Sequence, residues 1–216
     1  MGFKRSMGTL MMVLLWVLSW ARMVAAQAGS GDGEITVMVN NSAGISPAVL
    51  NQAEAEAGRI FRVAGIDIVW VDGAREAAMV DDERRGVPGR NEFVLHIVPT
   101  GRTSSDLVFG VAFLAQDGAG KYTDIFYDRV ERAHGEFGTP LSRLLGTVAA
   151  HELGHLLLGI HAHSYAGVMT PVWRQETLRH MEMGSLLFTR DQAFQMRVRI
   201  LGGERTLVGS GASAGK

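Results

Sequence analysis

Residues 151–173, HELGHLLLGIHAHSYAGVMTPVW, decide how the rest of the chain is read. Side chains four residues apart on a helix lie one above the other on the same face, so His151 and His155 can reach a single metal ion together. Glu152 lies between them, where a carboxylate can take a proton from a water held at the metal. Two imidazoles and a carboxylate in this spacing make the signature of a zinc hydrolase. Two histidines on a solvated helix face are the plainer alternative. The flanking residues favour the metal. Residues 139–159, TPLSRLLGTVAAHELGHLLLG, read as an apolar helix with Thr139 as N-cap, Pro140 at the first helical position and Gly159 just past the end. His161 and His163 follow that glycine, and a third ligand arriving after a helix-ending turn suits a tetrahedral ion with one open position.

This block resembles that of the metzincin clan of zinc endopeptidases, HExxHxxGxxH followed by a turn carrying a methionine beneath the metal. Laid on that pattern without gaps, His151, Glu152, His155 and His161 match, and GVMTP resembles the methionine turn, with Met169 in the methionine's place. One position departs: the family's glycine falls on Leu158, and Gly159 comes one residue later. A second resemblance, to short secreted bacterial metzincin-like proteins, rests on HELGHLLLG, AHS, GVM and Trp173. There the histidine of the HS pair recurs, which makes His163 the third ligand. We favour His163 and keep His161 as the alternative. The resemblance implies Zn2+ as cofactor and a zincin-like α+β fold, a mixed twisted sheet with an active-site helix and a small C-terminal helical subdomain. It also implies peptide-bond hydrolysis by a zinc-activated water with Glu152 as general base.

Composition narrows the remaining classes. The chain has 216 residues, 47% of them apolar, enough for one domain with removable ends. A formal charge of −1 without a basic block gives no electrostatic case for nucleic acid. With no cysteine, disulfides and thiolate ligation are excluded, so a metal must be held by histidine and carboxylate. Lys4 and Arg5, the apolar run from Leu10 to Trp20 and the small residues of VAAQA read as an export signal over residues 1–28, cleaved after Ala26 or Ala28. An uncleaved anchor is the alternative. The expected product is secreted or periplasmic, has no stable membrane insertion and takes a peptide or protein substrate.

One catalytic domain is expected over residues 34–200. EITVMV, IDIVWV and FVLHIV read as strands, and Ser46 with Pro47 opens a helix between the first two. GVAFLA and TDIFYDRV read as two further strands joined by a turn through DGAGK. In the family that the chain resembles, an edge strand pairs with extended substrate. Gly110, Val111, Ala112 and Phe113 are the candidate, interior sheet being the alternative. Thr189 and Gln192 form a capping box for a last helix, with Phe194 and Val198 as its docking face, and residues 201–216 read as a disordered tail.

Other side chains receive plainer readings. Met169 packs beneath the ligands without bonding the metal, and Trp173 packs against the methionine turn. His96 reads as a core imidazole, His134 as a residue that could face the cleft, and His180 as solvated. Tyr165 is more a surface residue than an oxyanion donor. Two other functions remain open: an exported zinc-binding or adhesion module without peptidase activity, and a zinc amidohydrolase acting on a non-peptide substrate.

Overall fold

In the computed structural model the described residues are 33–75, 88–101, 108–161 and 163–210, with side chains described as far as Gly202. Five strands form one sheet. They are β1 (Gly33–Asn41), β2 (Ile66–Asp72), β3 (Glu92–Val98), β4 (Gly110–Phe113) and β5 (Tyr122–Phe126). Their order is β2-β1-β3-β5-β4, parallel throughout except for β4, which runs antiparallel to β5. β1 shows why it is a strand: Ile35, Val37 and Val39 alternate into the core while the residues between them face away. The parallel step from β1 to β2 needs a crossover, supplied by α1 (Pro47–Val63). Ser46 caps α1 by accepting from the Val49 N–H at 3.4 Å, and Pro47 stands in the first turn.

The other helices are α2 (Tyr127–Phe137), α3 (Leu141–Leu158), α4 (Gln175–Glu182) and α5 (Arg190–Ser210). α3 is buried on every side from Leu144 to Leu157. Leu144, Leu145, Val148, Ala150, Leu153 and Leu156 are all buried, as a helix embedded in the core requires. It packs against α1, α2, α5 and strands β4 and β5. The crossing of α3 over α1 is close because position 146 has no side chain: a Cβ there would collide with the Ala53 carbonyl oxygen and lie 2.9 Å from Glu56 Cβ. Backbone cannot yield as a side-chain tip can, so Gly146→Ala is expected to cost about 1–3 kcal/mol. Gly135, on the exposed face of α2, has nothing within 4 Å of its would-be Cβ. Gly135→Ala should therefore stabilise by about 0.5–1 kcal/mol through helix propensity. Denaturant midpoints of the two variants, expected to move in opposite directions, check both.

The mixed sheet with its central helix agrees with the α+β expectation, and four local readings are corrected. Helix α3 begins at Leu141 with Pro140 at the cap and no side-chain capping bond. Thr139 is instead buried and donates to Glu182 Oε1 at 3.2 Å, which ties the start of α3 to α4. TDIFYDRV is not one strand: β5 ends at Phe126, and Tyr127 opens α2, whose Val130 and Ala133 are buried at helical spacing. β4 stops at Phe113, because the Ala115 N–H is taken up by Ala119 O in the turn. Finally, α5 docks through Ala193, Met196 and Ile200, leaving Phe194 and Val198 exposed. α5 also continues to Ser210, past the Leu201 boundary where the composition suggests a disordered tail. The export signal and residues 211–216 lie outside the described residues. Among the described residues no helix is long and apolar enough to cross a membrane.

Candidate metal centre

Helix α3 brings His151, Glu152 and His155 to the floor of a cleft. All three are buried, at 8%, 6% and 5% exposure, so they are held by the core and not displayed on a surface. His151 Nδ1 donates to the carbonyl of Val168 at 2.7 Å, and His155 Nδ1 donates to that of Ile160 at 2.8 Å. A carbonyl can only accept, so both protons sit on Nδ1 and both Nε2 atoms carry bare lone pairs. Those two atoms face each other at 3.1 Å. Neither has a proton to give the other; a shared cation between them resolves the conflict.

The helix ends where the third histidine can return. Gly159 closes α3 with φ 69°, its N–H donating to His155 O at 2.8 Å. The extra turn residue, with Leu158 still helical, carries the loop over the pair. His163 lies 5.3 Å from the His151 ring and 5.0 Å from the His155 ring, centroid to centroid. Ligand atoms of His151, His155 and His163 all fall within 4.8 Å of one another. His161 stands apart from this group, its ring 6.2 Å from that of His155, although it lines the same cleft. Neutral imidazoles converging from a helix and a loop, with no thiolate, form a donor set that zinc accepts readily.

Beneath the histidines runs the turn at residues 167–170. Gly167 has φ 80°, and a Cβ there would collide with Leu187 O. Val168 and Met169 are fully buried. The Val168 carbonyl orients His151, while Met169 O accepts from the Ser164 N–H at 3.0 Å and so holds the histidine loop. Gly154 makes the room: a Cβ there would come within 2.7 Å of Met169 Sδ and 2.8 Å of Phe188 Cε1. The capping box of α5 joins the same loop. Thr189 N–H donates to Gln192 Oε1 at 2.9 Å, and Gln192 Nε2 donates to Ser164 Oγ at 3.2 Å.

The cleft lies between α3, strand β4 and residues Thr170, Pro171 and Trp173. Strand β4 is an edge of the described sheet, not interior. Because Phe126 N–H donates to Phe109 O, the alternation of an antiparallel pair turns the backbone groups of Gly110 and Ala112 away from β5, toward the open edge. Gly110 also leaves space for the acid, since a Cβ there would lie 2.9 Å from Glu152 Oε1.

Of the other residues singled out, Trp173 stacks on Phe109 across the cleft, a partner outside the turn at residues 167–170. His96 is not a core imidazole; it is half-buried and pairs with Asp124, Nδ1 to Oδ1, at 3.3 Å. His134 does not line the cleft, and its Nδ1 donates to Thr139 O at 2.8 Å. Exposed His180 contacts Ser185 Oγ, and Tyr165 is fully exposed. Sequence reasoning missed the two orienting carbonyls, which carry no side-chain signal, together with the Gly110 gap and Phe109. FGVAF, residues 109–113 at the start of an edge strand, was the available clue to the last two.

Burial moves the acid and the imidazoles of the site in opposite directions, lowering His151, His155 and His163 and raising Glu152. It pushes Glu152 up to about 8. It also pushes His151 down to about 4, against the opposing bond to Val168 O. In metal-free protein a raised carboxyl pKa costs stability as pH rises from about 4.5 through 8, since the unfolded chain has already lost its proton. A lowered histidine pKa costs stability as pH falls from about 6.5 toward 4. Above pH 6.5 only the glutamate term remains. Chelator-treated protein is thus expected to lose stability between pH 6.5 and 8, on a scale of about 1.4 kcal/mol per unit. Glu152→Gln should abolish that slope, as thermal melts across the range would show.

Comparison with solved structures points to this fold. A zinc-dependent peptidase from Methanocorpusculum labreanum is similar at TM-score 0.52 and 13% identity, covering 74% of this chain and 99% of that one. An archaemetzincin from Methanopyrus kandleri is similar at TM-score 0.48 and 18% identity, covering 80% of this chain and 97% of that one. The first likeness is one of fold. No protein-family model matches the chain, and no curated protein matches it.

Proposed function

We propose that the protein is a secreted zinc-dependent metalloendopeptidase. The observation that carries this reading is the pair of bare Nε2 atoms 3.1 Å apart, with a ligand atom of His163 within 4.8 Å of them and Glu152 lining the same cleft. His151, His155 and His163 would hold the ion, and the peptidase named among the similar structures supports zinc as its identity. Bound there, zinc supplies a Lewis acid that lowers the pKa of water and polarises a carbonyl. Glu152 then takes the proton of the attacking water and passes it to the departing amine. The raised pKa belongs to the metal-free site; a dication beside the carboxyl favours its charged, proton-accepting form. The outward backbone groups of Gly110 and Ala112 would pair an extended peptide to the sheet edge and align its carbonyl over the floor. The export signal expected over residues 1–28 supports an activity outside the cytoplasm.

A zinc-binding module without catalysis would leave Glu152 without a purpose, since a structural ion needs no buried acid next to its ligands. The test is to purify the protein from about Gln27 onward, measure its metal and incubate it with a mixed peptide library. One zinc per chain and cleavage that stops with chelator and returns with zinc are expected. Zinc without cleavage of peptides, or protein isolated free of metal, would overturn the proposal; hydrolysis of non-peptide amides alone would move it to the amidohydrolase class.

A further inference from the structure

A contact crosses the cleft from wall to wall. On one side Phe109 precedes β4, fixed by its carbonyl, which accepts from the Phe126 N–H at 2.8 Å. On the other side Trp173 follows Pro171 and leads into α4, which is anchored by buried Leu178 and Met181. The two rings stack with centroids 5.0 Å apart and planes 22° apart. Nothing can lie between rings at that separation. Both residues line the cleft with the histidines and Glu152.

The position of this stack along the edge strand gives it a consequence. Gly110, whose missing side chain makes room for the Glu152 carboxyl, is the next residue after Phe109. A peptide paired to the open edge of β4 therefore meets the stacked rings about one residue beyond the acid. In the other direction the edge continues past Ala112 to Phe113, whose ring is exposed. We propose that the Phe109–Trp173 stack closes the cleft at its Gly110 end and limits how many residues a substrate can extend past the scissile bond on that side. The inference rests on the peptidase reading above. It names the substrate class as short peptides, or chain ends, with a short segment on the closed side. Longer chains are admitted only when the rings part. Phe109 is held by the strand bond of its carbonyl, whereas Trp173 is half-buried between exposed Val172 and Arg174, so parting the rings means displacing Trp173 from its packing.

The experiment uses zinc-loaded protein and peptides sharing one cleavable bond, lengthened a residue at a time on one side and then on the other. For the parent, kcat/KM should fall at least tenfold on one side only. Trp173→Ala should raise the long-to-short ratio of kcat/KM at least tenfold, and Trp173→Phe should keep the parent's profile. Phe109→Leu serves as a second probe if the tryptophan variant does not fold. In parallel, fluorescence anisotropy of the same labelled peptides on Glu152→Gln, with and without Trp173→Ala, reads the length limit without turnover. Glu152-dependent cleavage with an unchanged profile in Trp173→Ala would overturn the barrier and leave the peptidase reading intact. No cleavage, with a Trp173-dependent length limit in binding, would keep the barrier and overturn the peptidase reading. Neither cleavage nor length-limited binding would overturn both.

Discussion

Exchanging Glu152 for glutamine is expected to reduce peptide hydrolysis by about 10²–10⁴-fold, the range for losing a positioned acid–base group. Zinc content should not change. Glutamine keeps the shape of the side chain and fits the gap opposite Gly110, but it cannot accept a proton at neutral pH. The three histidines are oriented by carbonyls and by the loop, none of which involves this carboxyl. The variant should also be at least as stable as the parent, since it no longer buries an ionisable group. Turnover with saturating peptide, measured beside bound zinc, checks the expectation. Retention of most of the activity would mean that the proton is carried elsewhere and would remove Glu152 from the proposed chemistry.

The second large effect is on metal affinity. His163→Ala removes one of three donors, so the apparent zinc dissociation constant should rise by more than about 100-fold. That exceeds the roughly 10–100-fold cost of losing a residue that only orients a ligand. His161→Ala should change it by no more than a few-fold, because His161 stays outside the group whose ligand atoms lie within 4.8 Å. Competition against a chromophoric chelator at fixed pH distinguishes the two. The reverse order of effects would place the third ligand at His161 and require the loop after Gly159 to close differently.

Much of this site can be read in the sequence because its chemistry is local. Histidines four apart on one helix, a glycine that ends that helix and a glycine that opens the turn before Met169 each follow from rules of a few residues. The candidate edge strand was visible as GVAF, though only the sheet order shows that it is an edge. What the sequence hid is long-range or belongs to the backbone. The carbonyls of Val168 and Ile160 select the histidine tautomers, and no residue identity encodes them. Helix α2 is hidden in the sequence because Ile125, Phe126, Tyr127 and Val130 suit a strand as well as a helix, and burial of Val130 and Ala133 on one face decides it. The docking face of α5 was misread for a related reason. Phe194 and Val198 are apolar at helical spacing, yet Ala193, Met196 and Ile200 form the stripe that the core accepts.

The link from Gln192 through Ser164 to the histidine loop gives the last helix a share in holding the ion. Binding and helix docking are then thermodynamically linked, and linkage is reciprocal: whatever factor the docked helix adds to the affinity for the ion, the ion adds to the docking equilibrium of the helix. Loss of the cation should therefore loosen the first turn of α5, in a segment that supplies none of the ligands.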